Sequence, residues 1–81
     1  MKTLEEIERM LVAYVAGKCG LPPVEIDRTR RFDHYGLDST DAVMLIGDLE
    51  DFVGRPLSAA LPYSHPTIEK LAQHLAAGKS E

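Results

Sequence analysis

Gly36-Leu37-Asp38-Ser39-Thr40-Asp41-Ala42-Val43-Met44-Leu45-Ile46-Gly47-Asp48-Leu49-Glu50-Asp51-Phe52-Val53-Gly54 is the stretch on which the fold turns. Ala42, Leu45, Ile46, Leu49, Phe52 and Val53 recur at the spacing that lines up one side of an α-helix, and predict a helix over Ser39–Val53 with that side buried. Asp38 is suited to cap its first turn, with Asp41 three residues on, and Gly54 to end it. Gly47 lies inside and costs up to about 1 kcal/mol relative to Ala. Such a small residue admits close approach by another helix or a partner. The residues off the buried stripe, Thr40, Asp41, Val43, Met44, Gly47, Glu50 and Asp51, form the outward face. Val43 and Met44 are apolar there, as in a contact surface.

Working outward, Thr3 with Glu6 makes a capping-box pattern, and Leu4, Ile7, Leu11, Tyr14 and Val15, with Met10 at the border, continue as a helix to Lys18. Gly20, Pro22 and Pro23 stop it. The connection from Cys19 to Leu37 is long for a loop without function or packing. Leu21, Val24, Ile26, Phe32, Tyr35 and Leu37 are expected to pin it across the helices, and Pro23–Ile26 to hold a single helical turn. Downstream, Leu57, Ala60, Leu61 and Tyr63 are expected to reach the core, with a short helix over Ser58–Leu61. A last helix follows over Thr67–Ala77, with Thr67 as cap, Ile68, Leu71, Ala72 and Leu75 as its stripe, and Gly78 closing it. No alternating strand pattern and no repeat interrupts this order. The expected fold is all-α: a small bundle of three main helices plus one short helix, with a long first loop.

The 81 residues suit one domain, 1–81, and the 44% hydrophobic content suffices for one core. No apolar run is long enough for a membrane and no secretory signal opens the chain. The one cysteine, Cys19, excludes an internal disulfide and fits a reducing cytoplasm. A net charge of −4 argues against nucleic acid. Five acids and no base lie between Asp38 and Asp51, while Arg28, Arg30 and Arg31 cluster upstream. An acidic run of this kind is either a solvated helix face or a docking face for basic partners. His34, His65 and His74 lack metal-ligand spacing, so no metal site is expected.

The chemistry centres on Ser39, a hydroxyl in the first turn of a helix. The leading N–H groups of a helix lack partners within it, and that end of the helix dipole is positive. A phosphate ester there is stabilised for the reasons free phosphate is. Asp38 beside it could hold the metal ion that accompanies phosphoryl transfer. Asp-Ser at a helix start is also a common cap, so local physics leaves both readings open.

Gly36-Leu37-Asp38-Ser39 resembles the phosphopantetheine attachment motif of acyl carrier proteins, especially those of polyketide synthases. The stretch from Gly47 to Gly54 resembles the end of that family's second helix. Pro62-Tyr63-Ser64-His65-Pro66-Thr67-Ile68-Glu69-Lys70-Leu71-Ala72-Gln73-His74-Leu75 resembles the approach to its last helix, with the aromatic-x-x-Pro-Thr pattern. The likeness covers nearly the whole chain. It implies that Ser39 bears 4'-phosphopantetheine, transferred from coenzyme A by a phosphopantetheinyl transferase with magnesium. The arm's thiol, not Cys19, would carry the acyl group, and the protein would have no catalytic residues of its own. It implies a monomer whose second helix presents its outward face to ketosynthase, acyltransferase or acyl-AMP ligase enzymes. The ligase follows from Gly47-Asp48-Leu49-Glu50 and Pro66-Thr67-Ile68-Glu69, which resemble carriers loaded that way. Two positions depart from the family: Thr40, where an apolar residue is usual after the serine, and Met44, often acidic in fatty-acid carriers. They point to a specialised pathway over primary fatty-acid synthesis. Two other readings stand beside this one: a peptidyl or aminoacyl carrier, and a helical interaction module without prosthetic group that uses Val43 and Met44. A hydrolase built on Ser39 lacks both a nearby base and a strand-to-helix elbow.

Overall fold

Thr3 opens the first helix with both halves of a capping box. Glu6 N–H donates to Thr3 Oγ1 at 3.2 Å, and Thr3 N–H donates to the Glu6 carboxylate at 3.0 Å. Those bonds hold the Glu6 carboxyl below its ordinary pKa. The computed structural model describes residues 2–78. Its helices are α1 (Leu4–Cys19), α2 (Ser39–Val53), α3 (Leu61–Ser64) and α4 (Ile68–Ala76), with 3-10 turns at Pro23–Glu25 and Phe32–Tyr35. No strand forms among the described residues; one isolated antiparallel bridge joins Arg31 to Thr67.

α1 packs along α4, and α3 lies beside α2. The interior is continuous. Ile7, Leu11 and Val15 of α1 meet Leu45 and Leu49 of α2, Leu61 of α3, and Ile68, Leu71 and Leu75 of α4, all essentially sealed from solvent. Each such side chain contributes roughly 1.5–3 kcal/mol on burial. Val12 and Ala16 are buried too, so the buried strip of α1 is wider than the narrow stripe implies. Leu4 is correspondingly exposed: it sits at the outer edge of the first turn.

The long first loop is sewn onto the lead-in of α4. Phe32 N–H donates to the Pro66 carbonyl at 2.8 Å and Glu69 N–H to the Arg28 carbonyl at 3.0 Å. Tyr35 Oη accepts from Asp27 N–H at 2.7 Å, and Arg28 pairs with Glu8 of α1 at 3.0 Å. Ile26, Phe32 and Leu37 are buried as expected, and Tyr35 is half-buried. Leu21 and Val24 are not: they lie on the solvent side of the proline turn, with Val24 89% exposed. The turn over Phe32–Tyr35 carries no helical periodicity of its own. It ends at Gly36 with φ 79°, a left-handed conformation that glycine adopts without strain.

The short helix lies three residues beyond its expected place at Ser58–Leu61. Ala60 is its N-cap and Pro62 falls in its first turn, where a missing N–H costs nothing. That shift buries Leu61 and Pro62 and leaves Ala60 and Tyr63 outside, contrary to their expected reach into the core. Thr67 caps α4 by accepting from Lys70 N–H at 3.1 Å.

Candidate functional site

Asp38 sets the first turn of α2. Its Oδ1 accepts from Asp41 N–H at 2.9 Å, while the Asp41 carboxylate accepts from Asp38 N–H at 3.2 Å, a second reciprocal box. Ser39 is therefore the first helical residue, and it is exposed. α1 braces this turn from behind. Tyr14 Oη donates to the Asp41 carbonyl at 3.2 Å, and Lys18 Nζ stands 3.7 Å from the Asp41 carboxylate. Burial, and then the charges of Asp48 and Asp41, raise the Tyr14 hydroxyl above its ordinary pKa, so at neutral pH it is a firm donor.

Ser39 opens beside a cleft of about 400 Å³. Phe32, Leu37, Ala42, Leu45, Pro62, Tyr63 and Pro66 form its apolar walls, and Arg31, Asp33, Asp38 and Ser39 contribute its polar groups. The walls come from the second 3-10 turn, α2 and α3, which the seam between Phe32 and Pro66 holds in register. Sequence reading finds Asp38 and Ser39 but not Arg31, Asp33, Phe32, Pro62 or Pro66 as neighbours of the site. No local pattern unites them, since three distant segments meet only in the folded chain.

The structure divides the outward residues of α2. Thr40, Val43, Met44 and Asp51 are exposed, with Val43 at 64% and Met44 at 51%. Gly47 is half-buried, and a Cβ placed on it meets nothing within 4 Å, so no other described helix of this chain uses its small size. Asp41 is occupied by its box and by Lys18. Glu50 turns aside, its Oε2 accepting from Leu57 N–H at 2.8 Å in a part-buried bond that closes the loop after α2. Asp48, outside the expected face, is exposed. Free negative charge on α2 is thus carried by Asp48 and Asp51.

Cys19 is half-buried at the end of α1, its Sγ donating to the Val15 carbonyl at 3.0 Å, and it is not among the residues that line the cleft. The rings of His65 and His74 stack with centroids 4.0 Å apart, and His34 sets an edge against Tyr35. No described helix is long and apolar enough to cross a membrane.

An exposed hydroxyl on the first helical residue, with the Ser39 and Thr40 N–H groups beside it left over by the capping box and an apolar cleft alongside, fits a phosphodiester-linked pantetheine arm. The family model described as "Phosphopantetheine attachment site" matches residues 9–75. A phenolphthiocerol/phthiocerol polyketide synthase polypeptide of Mycobacterium tuberculosis is 38% identical over 71 residues, covering 88% of this chain. The chain spans 4% of the length of that synthase polypeptide. Among solved structures, an acyl carrier protein from Anabaena with a variant phosphopantetheinylation-site sequence is 35% identical. It superposes with a TM-score of 0.87 over 93% of this chain and 85% of that one. A free-standing peptidyl carrier protein from Acinetobacter baumannii is 33% identical, with a TM-score of 0.86 over 96% and 98% of the two chains.

Proposed function

The chain belongs to the family of carrier domains with a phosphopantetheine attachment site, and we propose that Ser39 is the attachment residue and acyl intermediates of polyketide or fatty-acyl biosynthesis the cargo. The observation that carries this is the place of the Ser39 hydroxyl, exposed on the first residue of α2 within the segment the family matches. When attached, the arm supplies the thiol that bears the acyl group. The chain's own residues supply position. Asp38 and Asp41 fix the turn, Tyr14 and Lys18 hold it against α1, and the Ser39 and Thr40 N–H groups remain for the phosphodiester's negative charge. Nothing in this arrangement requires the domain to catalyse a reaction.

Synthase-type enzymes are the partners of such a domain, with a phosphopantetheinyl transferase required to install the arm. Val43 and Met44, flanked by the free acids Asp48 and Asp51, support α2 as the contact face for a ketosynthase, acyltransferase or acyl-AMP ligase with a basic, apolar surface. Thr40 and Met44 favour a specialised pathway.

The test is incubation with a phosphopantetheinyl transferase, coenzyme A and magnesium, read by intact mass. The chain should gain one phosphopantetheine, and Ser39→Ala should gain none while keeping its fold, since Asp38 remains as the cap. No gain in the parent chain, or a gain that survives Ser39→Ala, overturns the assignment. A second reading, a peptidyl or aminoacyl carrier, is favoured by the match along nearly the full length of the Acinetobacter carrier. Loading the arm with amino acids against malonyl or fatty acyl groups separates the two.

A further inference from the structure

Arg31 is the only base among the residues that line the cleft beside Ser39. The other nearby cations are engaged elsewhere: Arg28 with Glu8, Arg30 with Asp27, and Lys18 with Asp41. Arg31 faces Asp33 through Nε alone, at 3.3 Å from both carboxylate oxygens, which leaves its two Nη groups as donors. Its backbone is fixed beside the bridge to Thr67 and the Phe32–Pro66 bond, so the side chain swings from a rigid root. Guanidinium groups bind phosphate oxygens through paired N–H donors, more strongly than neutral groups do.

We infer that Arg31 is the positioning residue for the prosthetic arm: its Nη groups hold the phosphodiester at the cleft, and the arm's branched apolar portion lies against Phe32 and Tyr63. This rests on Ser39 being the attachment residue. The charges favour it. Before modification the cleft carries Arg31 against Asp33 and Asp38. A phosphodiester on Ser39 adds a further negative charge beside Asp38, and Arg31 is the one lining group able to balance it. The apolar walls then have an occupant whose first carbon atoms beyond the phosphate lead to a quaternary dimethyl centre. Because the Arg31 side chain is 64% exposed, the grip is sensitive to salt.

The experiment uses the chain loaded with isotope-labelled phosphopantetheine, with intact mass confirming loading and circular dichroism confirming the fold. The expected result is a set of nuclear Overhauser contacts from the arm's dimethyl group to Phe32 and Tyr63, lost at high salt. Arg31→Gln should load to the same mass yet lose those contacts at every salt concentration, and Arg31→Lys should keep part of them. Asp33→Asn, which releases Arg31 from its present partner, should preserve them to higher salt. Contacts unchanged in Arg31→Gln, or absent from the loaded parent chain, overturn the inference. A parent chain that takes no mass fails at Ser39 and removes the inference together with the reading beneath it.

Discussion

Replacing Gly47 with alanine should make the protein more stable and a poorer partner at the same time. The glycine sits in the middle of α2, where it costs about 0.8–1.0 kcal/mol relative to alanine through its greater freedom in the unfolded chain. An added Cβ meets no heavy atom within 4 Å, so no clash offsets that gain. For a domain of this size each kcal/mol moves the midpoint of thermal unfolding by roughly 4–8 °C, and Gly47→Ala should raise Tm by about that amount. Thermal denaturation followed by far-ultraviolet circular dichroism reads it directly. Gly17, whose Cβ would also meet open space, is the control in α1: Gly17→Ala should stabilise without touching the face of α2. If Gly47 survives in α2 because another protein's surface comes close there, Gly47→Ala should raise KM for a synthase-type partner while Gly17→Ala leaves it unchanged. A Tm that stays level or falls in Gly47→Ala would show that the glycine is used inside this fold, and the reasoning from open space would be wrong.

The two acids near the end of α2 should separate cleanly. Glu50→Ala removes the acceptor of a part-buried backbone N–H and should cost about 1–3 kcal/mol by chemical denaturation, whereas Asp51→Ala should be near neutral for stability and weaken binding to a basic partner. Tyr14 predicts an alkaline limb. Its folded pKa is raised, so the unfolded chain releases that proton first as pH climbs past about 10. Stability is full below that point and declines above it. Tyr14→Phe should flatten the decline, at a cost of about 0.5–1.5 kcal/mol at neutral pH for the lost bond to Asp41. Leu71→Ala, at a site sealed from solvent in α4, should cost about 2–5 kcal/mol, enough to unfold much of the population of a small domain.

The main helices are legible because their signals are local. The residues Thr3, Asp38 and Thr67 each cap by bonding an N–H three residues on, and the apolar spacing between caps states which side is buried. α2 begins and ends where Asp38 and Gly54 place it. The short helix escapes sequence reading because four residues carry no periodicity, and its position is decided by where Leu61 and Pro62 find the core. Tyr63 reads as apolar in sequence, yet only the folded chain shows it standing at the cleft, 64% exposed. Ser39 illustrates the other limit. Its setting is physically right for a phosphodiester, but the same two residues are ordinary helix caps, and what separates the readings is the likeness of the flanking segments to a family. Asp41 and Glu50 count equally with Asp51 as surface charge in sequence; in the folded chain Lys18 and the Asp38 N–H occupy the Asp41 carboxylate, and the Leu57 N–H occupies that of Glu50.

The seam that ties Phe32 to Pro66 and Arg28 to Glu69 has a bearing on chimeras. The first connection behaves as two pieces. Residues 21–25 face water and can accept inserted sequence or a protease cut without disturbing the interior. Residues 28–32 share backbone hydrogen bonds with a segment more than thirty positions away, so a graft that exchanges one strip without the other breaks a matched pair. Splice points for swapping this domain's surface onto a relative therefore belong in the proline turn, with the strip through Phe32 and the lead-in to α4 transplanted as one cassette.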